Sequence, residues 1–234
     1  MNTNATYLNP AHLHADYKQI VREPIMVLFM FIPLFIFIIF KLIVHLLQIF
    51  PVPFEIDDYH DYIFLFAILI TPQMLGTVTG FLMIDERDAR ILELMSVTPL
   101  GYSGYVINRL LIPLLFGIIY TIAGYYILNL YEVGLGILLF AGLLIGIEGI
   151  MASLILFTLA EDKVKGLTIS KAMGVFPLIA LADLLKINWL SFLAHFFPYY
   201  WVKELLFVPC LKTFLLAAIV HLLWMTGLYK LSRR

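Results

Sequence analysis

The stretch GTVTGFLMIDERDARILELMSVTPLGYSGYVINR, residues 76–109, decides how the chain is read. It begins as uncharged apolar sequence and breaks into a dense charge cluster at Asp85, Glu86, Arg87, Asp88 and Arg90. It turns apolar again after Arg109. Ionised side chains are costly at the centre of a bilayer, so such a cluster between apolar runs marks where a chain leaves hydrocarbon and re-enters it. Glu86 and Arg90 are four residues apart with the acid first, the favourable polarity for a helical pair. Ile91, Leu94 and Met95 fall on one helical face. Thr98-Pro99 then breaks the helix, since the residue before proline avoids the α region, and Thr98 suits the cap of a new one. The pattern predicts one short amphipathic helix, a sharp turn through Gly101 and Gly104, and re-entry.

Composition extends this reading to the whole chain. Of 234 residues, 62% are hydrophobic and 13% charged, with mean hydropathy +0.97. Soluble domains are nearer half apolar and a quarter charged. Uncharged runs of roughly 18 or more residues read as membrane-spanning helices, and none shows the alternating polarity of a β-barrel. The expectation is an all-α membrane protein, a single transmembrane domain over 1–234 with six spans at 25–47, 62–84, 110–130, 133–160, 167–185 and 213–229. Net charge is −1, so no basic field favours nucleic acid. The single cysteine, Cys210, excludes an internal disulfide framework.

Ahead of the first span, Asn9-Pro10 reads as a cap followed by proline at the first helical position. Leu13, Tyr17, Ile20 and Val21 share a face, which predicts an interfacial helix over 1–24, ended by Pro24. That start is polar and of mixed charge, unlike a cleaved signal peptide, so the first span is expected to remain. Pro33 should kink it, and Lys41 and His45 should anchor its far end by snorkelling. Residues 48–61 carry Glu55, Asp57, Asp58 and Asp61 beside His60 without clean metal-ligand spacing, and read as a solvated loop.

Polar and small residues inside the spans are the candidates for special roles. Gly76-xxx-Gly80 and Gly142-xxx-Gly146 permit close helix approach. Thr71, Thr77 and Thr79 can satisfy backbone groups freed near Pro72. Gln73 in that stretch, and the lone carboxylate Glu148 in the fourth span, are the candidates for lining a transport path. A buried carboxylate costs a few kcal/mol, so Glu148 either faces such a path or is a protonated or hydrogen-bonded packing residue. The fifth span is short and interrupted by Pro177. Residues 186–212 hold Trp189, Phe192, Phe196, Phe197, Tyr199, Tyr200 and Trp201, a density typical of the interface. Two short half-helices broken near Pro198, dipping into the outer leaflet, fit best.

Orientation follows from lysine plus arginine. The termini and the loops at Asp85 and Glu161 together carry eleven basic residues, against four (Lys41, Lys186, Lys203, Lys212) on the other side. The first side, with both termini, is therefore expected in the cytoplasm. There is no GxxxxGK[ST], HExxH or GxSxG, so neither an ATPase nor a hydrolase signature is present.

At this point the residues meet a family. The stretch IDERDARILELMSVTPLGYSGY at 84–105 resembles the permeases of ABC-2 type exporters, as do AEDKVKGLTISKAMGVFPLIAL at 160–181 and PYYW at 198–201. Together they look most like the fluoroquinolone-export permease subgroup. The resemblance implies a coupling helix within 85–100 that docks into a separate ABC ATPase subunit. Asp85, Glu86, Arg87, Asp88, Arg90 and Glu93 would set its register, and Leu94, Met95, Val97, Thr98 and Pro99 its contact. It also implies a homodimer, or a heterodimer with a homologous permease, in a prokaryotic plasma membrane. ATP and Mg would be used by the partner and no cofactor bound by this chain. The rival reading is a channel or secondary transporter using Glu148, although no convincing internal repeat is present.

Overall fold

The long apolar runs fold into long helices, because a backbone in hydrocarbon must satisfy its own hydrogen bonds. The computed structural model describes residues 21–22, 24–50, 56–96 and 101–232, and no strand occurs among them. In chain order they are α1 (Pro24–Ile49), a 3-10 turn (Ile56–Tyr59), α2 (His60–Asp88), α3 (Ile91–Ser96), α4 (Gly101–Leu128), α5 (Leu135–Leu159), α6 (Lys163–Met173), α7 (Phe176–Ile179), a second 3-10 turn (Ala182–Leu185), α8 (Asn188–Ala194), α9 (Pro198–Phe207) and α10 (Leu211–Ser232). Among the described residues five helices, α1, α2, α4, α5 and α10, are long and apolar enough to cross a membrane. The expected interfacial helix over 1–24 lies almost wholly outside the described residues, as do Glu55, Val97, Thr98 and Pro99.

Two boundaries differ from the sequence reading. Over 167–185, where one span was expected, the chain is divided into α6, the single turn α7 and the 3-10 turn. Gly174 follows the last residue of α6, and Pro177, lacking an N–H, sits at the start of α7. Secondly, α2 runs through Asp88, and α4 begins at Gly101 rather than 110. Asp85, Glu86, Arg87 and Asp88 are therefore the last turn of a spanning helix, not part of the short helix that follows.

The centre of the bundle is α2 against α5. The most apolar window of α2 is 78% buried and that of α5 is 61%, against 22% for α1 and 17% for α10. The glycines flagged in the sequence make this packing possible. A Cβ on Gly76 would lie 2.4 Å from the Ala152 Cβ and 2.7 Å from the Gly149 carbonyl oxygen, so only glycine lets α2 approach α5 this closely. Where α4 meets α5, a Cβ on Gly117 would lie 2.5 Å from the Gly146 Cα. Near Pro72, Thr77 Oγ1 donates to the Gln73 carbonyl at 2.8 Å, one of the three threonine roles expected there. Thr71 and Thr79 are buried without a side-chain partner. At the far end of α1, Lys41 Nζ donates to the Ile127 carbonyl at 2.6 Å and caps the C-terminus of α4.

The aromatic segment forms two short helices, α8 and α9, with Pro198 at the first position of the second. Their connection is tethered by indoles. Trp201 Nε1 donates to the His195 carbonyl at 2.7 Å, and Trp224 Nε1, from α10, donates to the Phe196 carbonyl at 2.8 Å. Below this turn Tyr199 and Phe197 line the same cavity as Glu148, the fourteenth residue of the 25-residue α5, so the α8–α9 turn reaches half the height of that helix.

Lys203 fastens α9 to the 3-10 turn. Its ammonium, 5% exposed, bonds Asp183, lies 2.6 Å from Glu204, and sits 4.4 Å from the centre of the Tyr200 ring. We expect Asp183→Asn to lower Tm, because it removes one of the two carboxylates that hold a nearly inaccessible ammonium. An unchanged Tm would show that the carboxylate charge is not what holds the clamp.

Candidate functional site

The end of α2 gathers most of the charged residues singled out in the sequence. Glu86, 3% exposed, points into the protein. It accepts from the Tyr105 hydroxyl and from Arg109, whose Nε lies at 2.8 Å and whose second nitrogen also bonds the carboxylate. The expected Glu86–Arg90 pair does not form. α2 ends at Asp88, and Arg90 turns left-handed (φ 56°), its N–H donating to the Arg87 carbonyl at 3.0 Å. Asp85 pairs with Lys163, the first residue of α6, at 2.8 Å. Arg87 donates to the carbonyls of Phe157 (3.1 Å) and Glu161 (2.7 Å), satisfying the end of α5, and its guanidinium lies 5.8 Å from the centre of the Phe157 ring. The root of the charged segment is thus pinned to α4, α5 and α6 at once.

Beyond that root the surface opens. Asp88 and Arg90 are exposed, followed by Glu93 and Leu94 on α3; Leu94 is 65% exposed. Ile91 and Leu92 are half-buried, and Leu92 packs toward Tyr105 and Val106. The inward face of α3 is accordingly Ile91 with Leu92, and Leu94 points away. The left-handed Arg90 sets this phase, which periodicity alone does not encode. The side chain of Met95 lies outside what is described.

Glu148 and Gln73 do not share a site. Gln73 Nε2 donates to the Ser170 carbonyl at 2.6 Å and to its Oγ at 3.2 Å, and Thr77 meets the same Oγ at 2.8 Å. This polar seam joins α2 to α6. Glu148, 1% exposed, faces a narrow cavity that Gln73 does not line, walled by Met151, Phe176, Phe197, Tyr199 and Trp224. His221 Nε2, on α10, lies 3.4 Å from its carboxylate. Among the described residues no group of three metal-ligating side chains occurs.

Arg109, Tyr105, Lys163 and His221 are the residues sequence reasoning missed as partners. The available signal was depth: Arg109 and Tyr105 stand at the mouth of the next apolar run, level with Glu86. His221 is the one histidine of the last span, and a lone ionisable group within a membrane usually has a partner at its own height.

Comparison with known proteins fits this architecture. Two curated relatives, the fluoroquinolones export permease proteins Rv2686c and MT2760 of Mycobacterium tuberculosis (strains ATCC 25618 / H37Rv and CDC 1551 / Oshkosh), are each 27% identical to this chain over 160 residues. The match takes in 66% of this chain and spans 63% of the length of each relative. No solved structure matches. Residues 16–229 match the family described as "Fluoroquinolones export permease protein Rv2686c-like", and with most of its length, its helical build and its charged α2–α4 connection accounted for, the chain belongs to that export permease family.

Proposed function

We propose that this chain is the membrane permease subunit of an ATP-driven exporter. With a second copy or a homologous permease it forms the path for a hydrophobic or amphipathic, drug-like substrate. A separate ABC ATPase, which uses ATP and Mg, docks on α3 and the exposed residues before it. In this reading the divided segment from α6 to the 3-10 turn supplies the sixth crossing, and both termini lie on the cytoplasmic side of the plasma membrane.

The observation that carries the proposal is the contrast between the two halves of the charged segment. Leu94 is exposed at its tip, while Asp85, Glu86 and Arg87 bind its root to three neighbouring elements. A helix held this way transmits a push at its tip to α4, α5 and α6 together. The root residues act as transmission and Asp88, Arg90, Glu93 and Leu94 as contact. ATP binding must favour one state by roughly 5.5 kcal/mol to move such a population almost fully.

The test is Leu94→Asp in the full chain, co-expressed with the ATPase. An exposed substitution leaves insertion and Tm unchanged, while a charge placed in a docking contact should reduce co-purification at least about tenfold. Undiminished co-purification sinks the docking assignment. A rival, a gradient-driven carrier, draws on the buried Glu148–His221 pair. It requires that the purified chain alone transport in liposomes, indifferent to ATP.

A further inference from the structure

Glu148 and His221 leave a chemical question that packing does not answer. Neither carboxylate oxygen of Glu148 has a hydrogen-bond partner, and neither has Nε2 of His221. Both residues are almost fully buried. The other ring nitrogen of His221, Nδ1, lies 2.7 Å from the Ala217 carbonyl. A carbonyl can only accept, so Nδ1 carries a hydrogen, and Nε2 of a neutral ring would turn a lone pair toward Glu148. Two facing lone pairs 3.4 Å apart repel; one proton held by the pair turns that contact attractive. Whichever side holds it, the pair as a unit is neutral.

The surroundings specify what could replace that proton. From the elements packed against Glu148, α10 presents His221 and α9 presents the Tyr199 phenol as titratable groups. α6 and α7 present Met173 and Phe176, and Phe197 precedes α9. On the α2 and α4 side Pro72, Gly76, Pro113 and Gly117 pack against this stretch of α5. The cavity beside the carboxylate is otherwise apolar, with room for a group the size of a water molecule, which is also the size of an ammonium head. Phe197 and Trp224, tilted against one another at 5.6 Å, stand at its wall. A single carboxylate among aromatic faces is the recognition chemistry for an organic cation.

We propose that Glu148 and His221 form a binding site for the protonated amine of an apolar, aromatic molecule, taken up in exchange for the proton the two side chains share. The ammonium enters, the shared proton leaves to water, and the charge of the site is unchanged. The proposal rests on reading this chain as a substrate path. Because it concerns the permease alone, it is tested without the ATPase, and its failure leaves the docking assignment standing.

The experiment uses the purified full chain in lipid nanodiscs, titrated calorimetrically with three probes of similar shape: 2-phenylethylammonium, 2-phenylethanol and phenylacetate. We expect saturable binding of the ammonium at least about tenfold tighter than the alcohol, and none of the carboxylate. In weak buffer about one proton should appear per ammonium bound, and affinity should fall, toward about tenfold per pH unit, as added acid competes for the site. Glu148→Gln should lose the preference for the ammonium, and Glu148→Asp should keep most of it, with Tm reporting that each variant is folded. Equal binding of alcohol and ammonium, or no saturable ammonium binding by wild type, overturns the site whatever the variants do. A preference that survives in Glu148→Gln overturns the role of the carboxylate, and binding without proton release overturns the exchange.

Discussion

Replacing Arg109 with methionine is expected to destabilise the protein by about 3–5 kcal/mol, because it leaves the Glu86 carboxylate buried without its cation. Both side chains are nearly inaccessible, 11% for Arg109 and 4% for Glu86. Most of the loss is the cost of a stranded charge rather than the worth of the pair. The diagnostic is therefore the triple variant Glu86→Leu, Tyr105→Phe, Arg109→Met, which removes the carboxylate and the two side chains that bond it together. Buried ion pairs replaced by apolar groups are often close to neutral, so Tm should recover to near wild type. If Glu86 were instead a docking contact, Arg109→Met would leave Tm unchanged and affect only the association with the ATPase. A triple variant as unstable as the single one would also exclude this account.

The second large effect concerns the backbone contact of α4 with α5. Gly117→Ala places a Cβ 2.5 Å from the Gly146 Cα and 2.6 Å from its nitrogen, and backbone atoms cannot swing aside as a side-chain tip can. Over-packing costs about 1–3 kcal/mol in ordinary cores and more where nothing yields. We expect the upper end of that range, read as lost Tm and lost yield of folded protein. Gly136→Ala, on α5 but with nothing within 4 Å of the new atom, is the matched control and should change stability by less than about 0.5 kcal/mol. Equal effects at the two positions would mean that glycine is needed there for some reason other than close approach.

What the sequence made legible was whatever short-range periodicity and composition encode. The apolar runs located five long helices to within a few residues at most ends, Gly76 and Gly146 announced close contacts, and Pro198 opened the second aromatic helix. What it did not supply were pairings distant in sequence. A local rule paired Glu86 with Arg90. The structure gives Glu86 to Arg109, 23 residues on, because the helix ends two residues after Glu86 and a left-handed residue carries Arg90 away. Gln73, singled out for the path, bonds Ser170, 97 positions away, a partner that no local rule names. Glu148 finds His221 on another helix, and only the packing of α10 on α5 brings the two to one height. The segment 167–185, expected as one span, is not one continuous helix: its composition is apolar enough to suggest a helix, and Gly174 and Pro177 together divide it.

The tethering of the α8–α9 turn by indole nitrogens gives the molecule an optical label of its own. Of its three tryptophans, Trp201 and Trp224 grip adjacent carbonyls of that turn, and Trp189 stands exposed on α8. Two of the three indoles thus report on one junction, and the exposed third serves as their reference. Any movement that draws α10 away from the α8–α9 turn severs the bond from Trp224 and changes its spectrum, so such a movement can be followed in the unlabelled protein.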